Sequence, residues 1–199
     1  MTGARSLVTV RRAHAADAGG IAAVHAEVWR NAYAGILPAG YLARLSPARL
    51  AAGYRRSLSL REPGHAVFVA VGPDPEAGFR TIGFVSGGRA RRPLRDGAAP
   101  QGEVETLYLL DDWREQGVGR RLMRAIAAHL AAIGCRSAFV WALSDNPSTH
   151  FYRRLAGRLA ARERIAFAGA EVEQSAFLWS PIEALLAATA PAPRREIEG

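Results

Sequence analysis

Trp113-Arg114-Glu115-Gln116-Gly117-Val118-Gly119-Arg120-Arg121-Leu122-Met123 follows directly on the apolar run Val104 to Leu110. The order reads as a buried strand, a glycine-softened turn and the start of a helix. The first-turn N–H groups of a helix have no internal acceptor and are free to bind anionic oxygens. Arg114, Arg120, Arg121 and Arg124 add positive charge at the same place. The spacing R-x-x-G-x-G lacks the third glycine of a dinucleotide fingerprint and the Lys-Ser/Thr ending of a P-loop, so both of those readings fall. Two readings remain: a cradle for a phosphate-bearing cofactor, or an ordinary loop entering a helix.

A second stretch shifts the balance. Trp141 to Gly157 places a strand end, the polar turn Ser144-Asp145-Asn146-Pro147 and a helix carrying Phe151 and Tyr152 about thirty residues downstream. Together the two stretches resemble the acyl-CoA-binding segments of the GCN5-related N-acetyltransferases (GNAT). Arg114 to Gly119, with Glu103 to Leu109 before it, match the earlier segment, and Asn146, Phe151, Tyr152 and Gly157 match the later one. Ala26 to Pro38, with Trp29, Tyr33, Gly35, Leu37 and Pro38, resembles a bacterial subset of the family whose substrates are mostly unassigned. The resemblance spans about residues 7 to 180 and implies an acyltransferase that moves an acetyl group from acetyl-CoA to a primary amine in a ternary complex, with a cytoplasmic location as the default expectation from composition. A small amine or a peptide amine would be the acceptor, and no metal is called for.

The same resemblance assigns roles. Main-chain amides of Arg114, Glu115, Gln116, Gly117, Val118, Gly119 and Arg120 would hold the coenzyme diphosphate. Backbone of Leu107, Tyr108 and Leu109 would face the pantetheine arm and the forming oxyanion. Asn146 would offer donor and acceptor to pantetheine amides, or else simply cap the helix ahead of Pro147. An amine is mostly protonated at neutral pH, so attack on a thioester needs a base. Glu103 is the favoured candidate; Glu105, two residues on, shares its sheet face unless a bulge intervenes. Tyr152 would protonate the departing thiolate, the thiol and phenol reference pKa values being close, about 8.5 and 10. His150 reads as a surface histidine. Two departures stand out: Glu115 puts a carboxylate inside the phosphate turn, and Ala156 precedes Gly157 where the family often has glycine.

Charge and composition bound the alternatives. The net charge is +8, and all 26 basic residues are arginine, so the positive charge is fixed at any working pH. The arginines are spread along the chain without interleaved aromatic platforms, which weighs against a basic nucleic-acid adaptor. A catalytically idle acyl-CoA-binding module is the other alternative. Cys135 is the single cysteine, so neither an internal disulfide nor a clustered thiolate site is available. No apolar stretch approaches the ~20 residues that span a bilayer, and the residues after Arg11-Arg12 lack the apolar core of a signal peptide. A homodimer is compatible with everything above.

The periodicities map onto one α/β domain over residues 1–181, followed by a short helix and a proline-rich tail, expected to be disordered, over 182–199. Strands are expected at 7–12, 66–71, 81–87, 104–110, 137–143, 160–167 and 172–179, giving a mixed central sheet of about seven strands flanked by helices. The sheet is expected to be splayed between the central strand and its parallel neighbour. Asp17 reads as the N-cap of a helix through Ile21, Val24, Val28 and Trp29; Ser46-Pro47 opens another. The helix from Val118 to Ile133 stops at Gly134. Residues 88–102 read as a loop, either a solvated connection or a flap over the site. Trp29, Tyr33 and Tyr41 are candidates for an acceptor pocket or for core.

Overall fold

In the computed structural model, which describes residues 7–92, 94 and 101–191, seven strands form one sheet in the order β1-β2-β3-β4-β5-β7-β6. The strands are β1 (Thr9–Arg12), β2 (Ala66–Asp74), β3 (Gly78–Arg89), β4 (Gln101–Leu109), β5 (Ser137–Leu143), β6 (Arg158–Phe167) and β7 (Ala170–Trp179). The helices are α1 (Ala18–Ala32), α2 (Ala39–Ala43), α3 (Pro47–Leu60), α4 (Val118–Ala132), α5 (Ser148–Arg154) and α6 (Glu183–Ala188). Only β4 and β5 run parallel, because α4 provides the long crossover that a parallel pair requires. Every other neighbouring pair is antiparallel.

Helices cover both faces of the sheet, and the alternation of β3 shows which covers which. Phe84 meets Tyr54 of α3 edge-on, whereas Gly87, of opposite parity, lies against Ile126 of α4. A Cβ at Gly87 would come within 2.4 Å of the Glu103 carbonyl, so only glycine lets β3 and β4 approach there. On α4, Leu122, Met123, Ile126 and Leu130 are fully buried, the one-sided spacing anticipated for a helix laid on a sheet. Ile182 and Leu185, at the start of α6, join the same core. Replacing Leu122 with alanine removes apolar volume from a closed interior and should cost about 2–5 kcal/mol of stability; urea unfolding reads this directly.

Several local expectations change. Asp17 stands at the N-cap position of α1 as expected, but its side chain makes no capping bond there. Its carboxylate turns back to the His14 backbone N–H at 2.9 Å and takes a two-pronged bond from Arg11 at 2.8 Å. Burial opposes ionisation of Asp17, but these bonds prevail and hold it below the usual carboxylate range. Ser46 does cap α3, accepting from Arg49 N–H, with Pro47 in the first turn. The β2–β3 hairpin is longer than expected, with pairing out to Asp74 and Gly78. The presumed loop 88–102 is trimmed at both ends, since Gly88 and Arg89 pair with Glu103 and Gly102; residues 93 and 95–100 of it, like the tail 192–199, lie outside the described residues. The β6–β7 hairpin turns more tightly, at Ala168-Gly169, both with positive φ.

Candidate active site

The parallel contact between β4 and β5 lasts four residue pairs, from Gln101–Ser137 to Val104–Val140. Beyond it the strands part. β4 continues to Leu109 still bonded to β3, and β5 continues to Leu143 still bonded to β7. Two edges of main chain therefore face each other without pairing, and β5, buried up to Val140, becomes half-exposed at Trp141, Ala142 and Leu143. A cleft of about 900 Å³ fills the opening, within the range of small-molecule sites.

The glycine-softened turn closes one end of this cleft. After the short 3-10 turn Asp111–Trp113, Arg114 is extended, Glu115 has φ 57 and Gly117 has φ 80 and ψ −1 at the N-cap of α4. The first helical bond runs from Arg121 N–H to Gly117 C=O, which leaves the N–H groups of Val118, Gly119 and Arg120 without helical acceptors. An oxygen-rich anion fits that donor set.

Most of the expected coenzyme residues line the cleft: Leu107, Tyr108, Leu109, Arg114, Glu115, Gly117, Gly119, Arg120, Asn146 and Tyr152. Val118 is packed in the core, and the Gln116 side chain bonds back to the Asp112 carbonyl at 2.7 Å. The arginines are less free than the sequence suggested. Arg114 pairs with Asp111 at 2.8 Å, while Arg120 and Arg124 donate to the carbonyls of Ala190 and Leu186 and so tie α6 to α4. Glu115 is solvent-exposed. Arg154, which the motifs did not single out, also lines the cleft, and His150 is exposed on its rim.

Asn146 is buried at the end of the polar turn. Its Oδ1 accepts the Ser148 N–H at 2.8 Å across the turn that enters α5, whose N-cap position is Pro147, and its amide lies beside the Tyr33 hydroxyl. Tyr152 is 4% exposed, packed against Phe151, Phe177 and Trp179. Burial, with Tyr33 nearby, pushes its phenol well above the ordinary value, so it stays protonated throughout the working pH range. The residue that ends α5 in the left-handed conformation is Ala156, φ 61, not Gly157. Gly157 is required instead by close packing, because a Cβ there would meet the Tyr152 carbonyl at 2.8 Å and Trp179 at 2.9 Å.

The carboxylates depart from simple alternation. The β3–β4 register slips between Ser86–Thr106 and Gly87–Val104, so Glu105 is an extra, bulged residue. Glu105 lines the cleft and Glu103 stands off its wall. Burial, then the charge of Glu105, raises the Glu103 pKa against the pull of Arg91. Glu105 moves the opposite way, held low by its bond to His65.

On the α1 side of the sheet lies an aromatic cluster that the sequence only hinted at. Trp29 and Tyr41 pack against Phe167 of the β6–β7 hairpin at 5.9 and 6.0 Å, and Tyr33 alone of the three proposed aromatics reaches the cleft. His25 was not anticipated. Its Nδ1 lies 2.7 Å from the Tyr54 hydroxyl, and burial drives its pKa to about 4, so it is neutral. The Trp29 indole N–H lies near the Tyr108 hydroxyl yet has no acceptor at hydrogen-bond distance among the described residues.

Residues 23–157 match the family model described as the acetyltransferase (GNAT) family. The chain belongs to the GNAT family. It is similar to the uncharacterized N-acetyltransferase YuaI of Bacillus subtilis, with 34% identity over 90% of this chain and 96% of that one. An aminoglycoside N(6')-acetyltransferase type 1 of Stenotrophomonas maltophilia is 31% identical over 59% of this chain and 74% of its own. Among solved structures, Arabidopsis thaliana NAA60 in complex with acetyl-CoA superposes with a TM-score of 0.58 at 17% identity, covering 87% of this chain and 98% of that one. The PaiA N-acetyltransferase of Thermoplasma acidophilum, in complex with coenzyme A, gives 0.56 at 17% identity over 84% and 97%. The splayed mixed sheet of this GNAT protein is thus the fold of relatives that bind the coenzyme. Among the described residues no group of side chains forms a metal site, and no helix is long and apolar enough to cross a membrane.

Proposed function

We propose that this GNAT protein transfers an acetyl group from acetyl-CoA to a primary amine by direct attack within a ternary complex. The observation that carries the reading is the cleft itself: unpaired main chain of β4 faces unpaired main chain of β5, with a helix N-terminus closing one end. A linear amide-bearing arm can bond to strand edges as another strand would, and a diphosphate suits the amides at Val118 to Arg120. Acetyl-CoA supplies the activated acetyl thioester.

The chain's own groups supply the rest. Glu103, set off the cleft wall, accepts the ammonium proton through water; its raised proton affinity brings it nearer the neutral range where a base is effective. N–H groups of the Leu107 to Leu109 segment stabilise charge growing on the carbonyl oxygen. Tyr152 offers its O–H to the departing sulfur. A phenol kept protonated is ready in every cycle, and its hydrogen bond stabilises the developing thiolate even before the proton moves.

The acceptor would enter between α1, α2 and the β6–β7 hairpin, where Tyr33 meets the cleft. The aminoglycoside N(6')-acetyltransferase relative makes aminoglycosides a sensible member of a test panel, although a protein of net charge +8 disfavours polycationic acceptors. The test is thiol release from acetyl-CoA across a panel of amines, amino acids, aminoglycosides and peptides. At least one should raise the rate at least tenfold over buffer. Binding of acetyl-CoA with no stimulation by any amine would favour an idle module, and salt-dependent duplex binding without coenzyme binding would favour the basic adaptor.

A further inference from the structure

A bulged residue has no partner across the ladder, so something other than strand pairing fixes its side chain. For Glu105 that is His65, whose Nε2 lies 2.9 Å from Glu105 Oε2. His65 sits in the connection between α3 and β2 and is itself held from three directions. Its carbonyl accepts from Arg12 of β1 at 3.2 Å. Its Cα lies against Gly88 of β3, where an added Cβ would come within 3.3 Å. The carbonyl of the preceding Gly64 bonds to His129 of α4 at 3.1 Å. The His65 side chain is 18% exposed and that of Glu105 is 37% exposed. One carboxylate oxygen of Glu105 is thus engaged behind the cleft wall while the side chain still lines the cleft.

We propose that His65 is a positioning residue for acyl transfer: by gripping Glu105 at the bulge, it fixes a second carboxylate beside Glu103 and so sets the proton affinity of the base. The inference rests on the reading of Glu103 as that base. Among the described residues the charged and titratable surroundings are the following. Glu103 and Glu105 come from β4, Arg12 from β1, His129 from α4, and Arg91 from the segment after β3, 3.5 Å from Glu62. Removing the imidazole takes away the bond that favours ionised Glu105, leaving its charge less offset beside Glu103. Both carboxyl midpoints then move up as a coupled pair.

The test is carboxyl 13C NMR titration of the full chain saturated with coenzyme A, comparing wild type, His65→Ala and His65→Gln. In wild type Glu105 should titrate below the ordinary glutamate range and Glu103 above it. In His65→Ala the Glu105 midpoint should rise by about one pH unit or more, with Glu103 rising in step. His65→Gln keeps a side-chain donor without the imidazole and should fall between. With an amine that supports turnover, His65→Ala should lower kcat about tenfold, leave the KM for acetyl-CoA unchanged and shift the acid limb of the pH profile upward, and His65→Gln should restore part of each. Unchanged midpoints for both carboxyls in either variant overturn the proposal, and if His65→Ala does not fold, His65→Gln decides alone. Failure of the transferase reading looks different, because wild type would then release no thiol with any amine while the titration still reports the pair.

Discussion

Gly119→Glu should abolish measurable binding of coenzyme A, a loss of at least about a hundredfold, while the protein keeps its fold. Gly119 is in the first turn of α4 and on the cleft wall, and a Cβ built there would sit 3.4 Å from Phe151 and 3.9 Å from Leu109. A methyl group fits that space, so Gly119→Ala is the control and should bind nearly as wild type. A glutamate must send its longer side chain into the cleft and sets a negative charge at the helix terminus that otherwise favours anions. Two opposing charges about 4 Å apart interact by several kcal/mol at the effective dielectric of a protein surface, enough for the expected loss. Calorimetry with coenzyme A on both variants separates crowding from charge. Unchanged affinity in Gly119→Glu would move the phosphate site away from this turn.

Tyr152→Phe should reduce turnover about a hundredfold or more, the usual scale of a lost general acid, and leave the acetyl-CoA dissociation constant within a factor of two or three. The ring is enclosed by Phe151, Phe177 and Trp179, and phenylalanine keeps that packing. The hydroxyl has no hydrogen-bond partner among the described side chains at the distances that define one elsewhere in the molecule, so its removal leaves no buried group stranded. Steady-state thiol release and equilibrium binding must therefore part company. Equal losses in both would make Tyr152 a packing residue and remove the acid assignment.

Much of the architecture was legible because two signals reinforced each other. Strand-length apolar runs alternated with helical spacings, and Gly117, Gly119, Asn146 and Tyr152 stood in two stretches that resemble the coenzyme-binding segments of one family. What escaped detection shares a physical cause. Glu105 reads as an ordinary alternate of Glu103, because a bulge depends on how β3 and β4 register and leaves no mark on β4 alone. His65 and Gly88 lie in stretches without periodicity, and only folding brings His65 to Glu105, 40 residues on, and Gly88 against His65. The same holds for Arg120 and Arg124: on α4 they look like phosphate ligands, and contact with α6 redirects both to carbonyls. Asp17 shows a local signal misread, since its expected capping bond was outcompeted by Arg11 on the neighbouring strand.

The brief pairing of β4 with β5 has an evolutionary consequence. A slot whose lips are peptide groups keeps its grip on an amide-bearing arm whatever side chains the lips carry. Mutations there need preserve only the parting of the strands. The walls proposed to meet the incoming nitrogen, from α1, α2 and the β6–β7 hairpin, would then be free to diversify while the donor end stands still, so one scaffold could acquire new acceptors without relearning how to hold its acyl carrier.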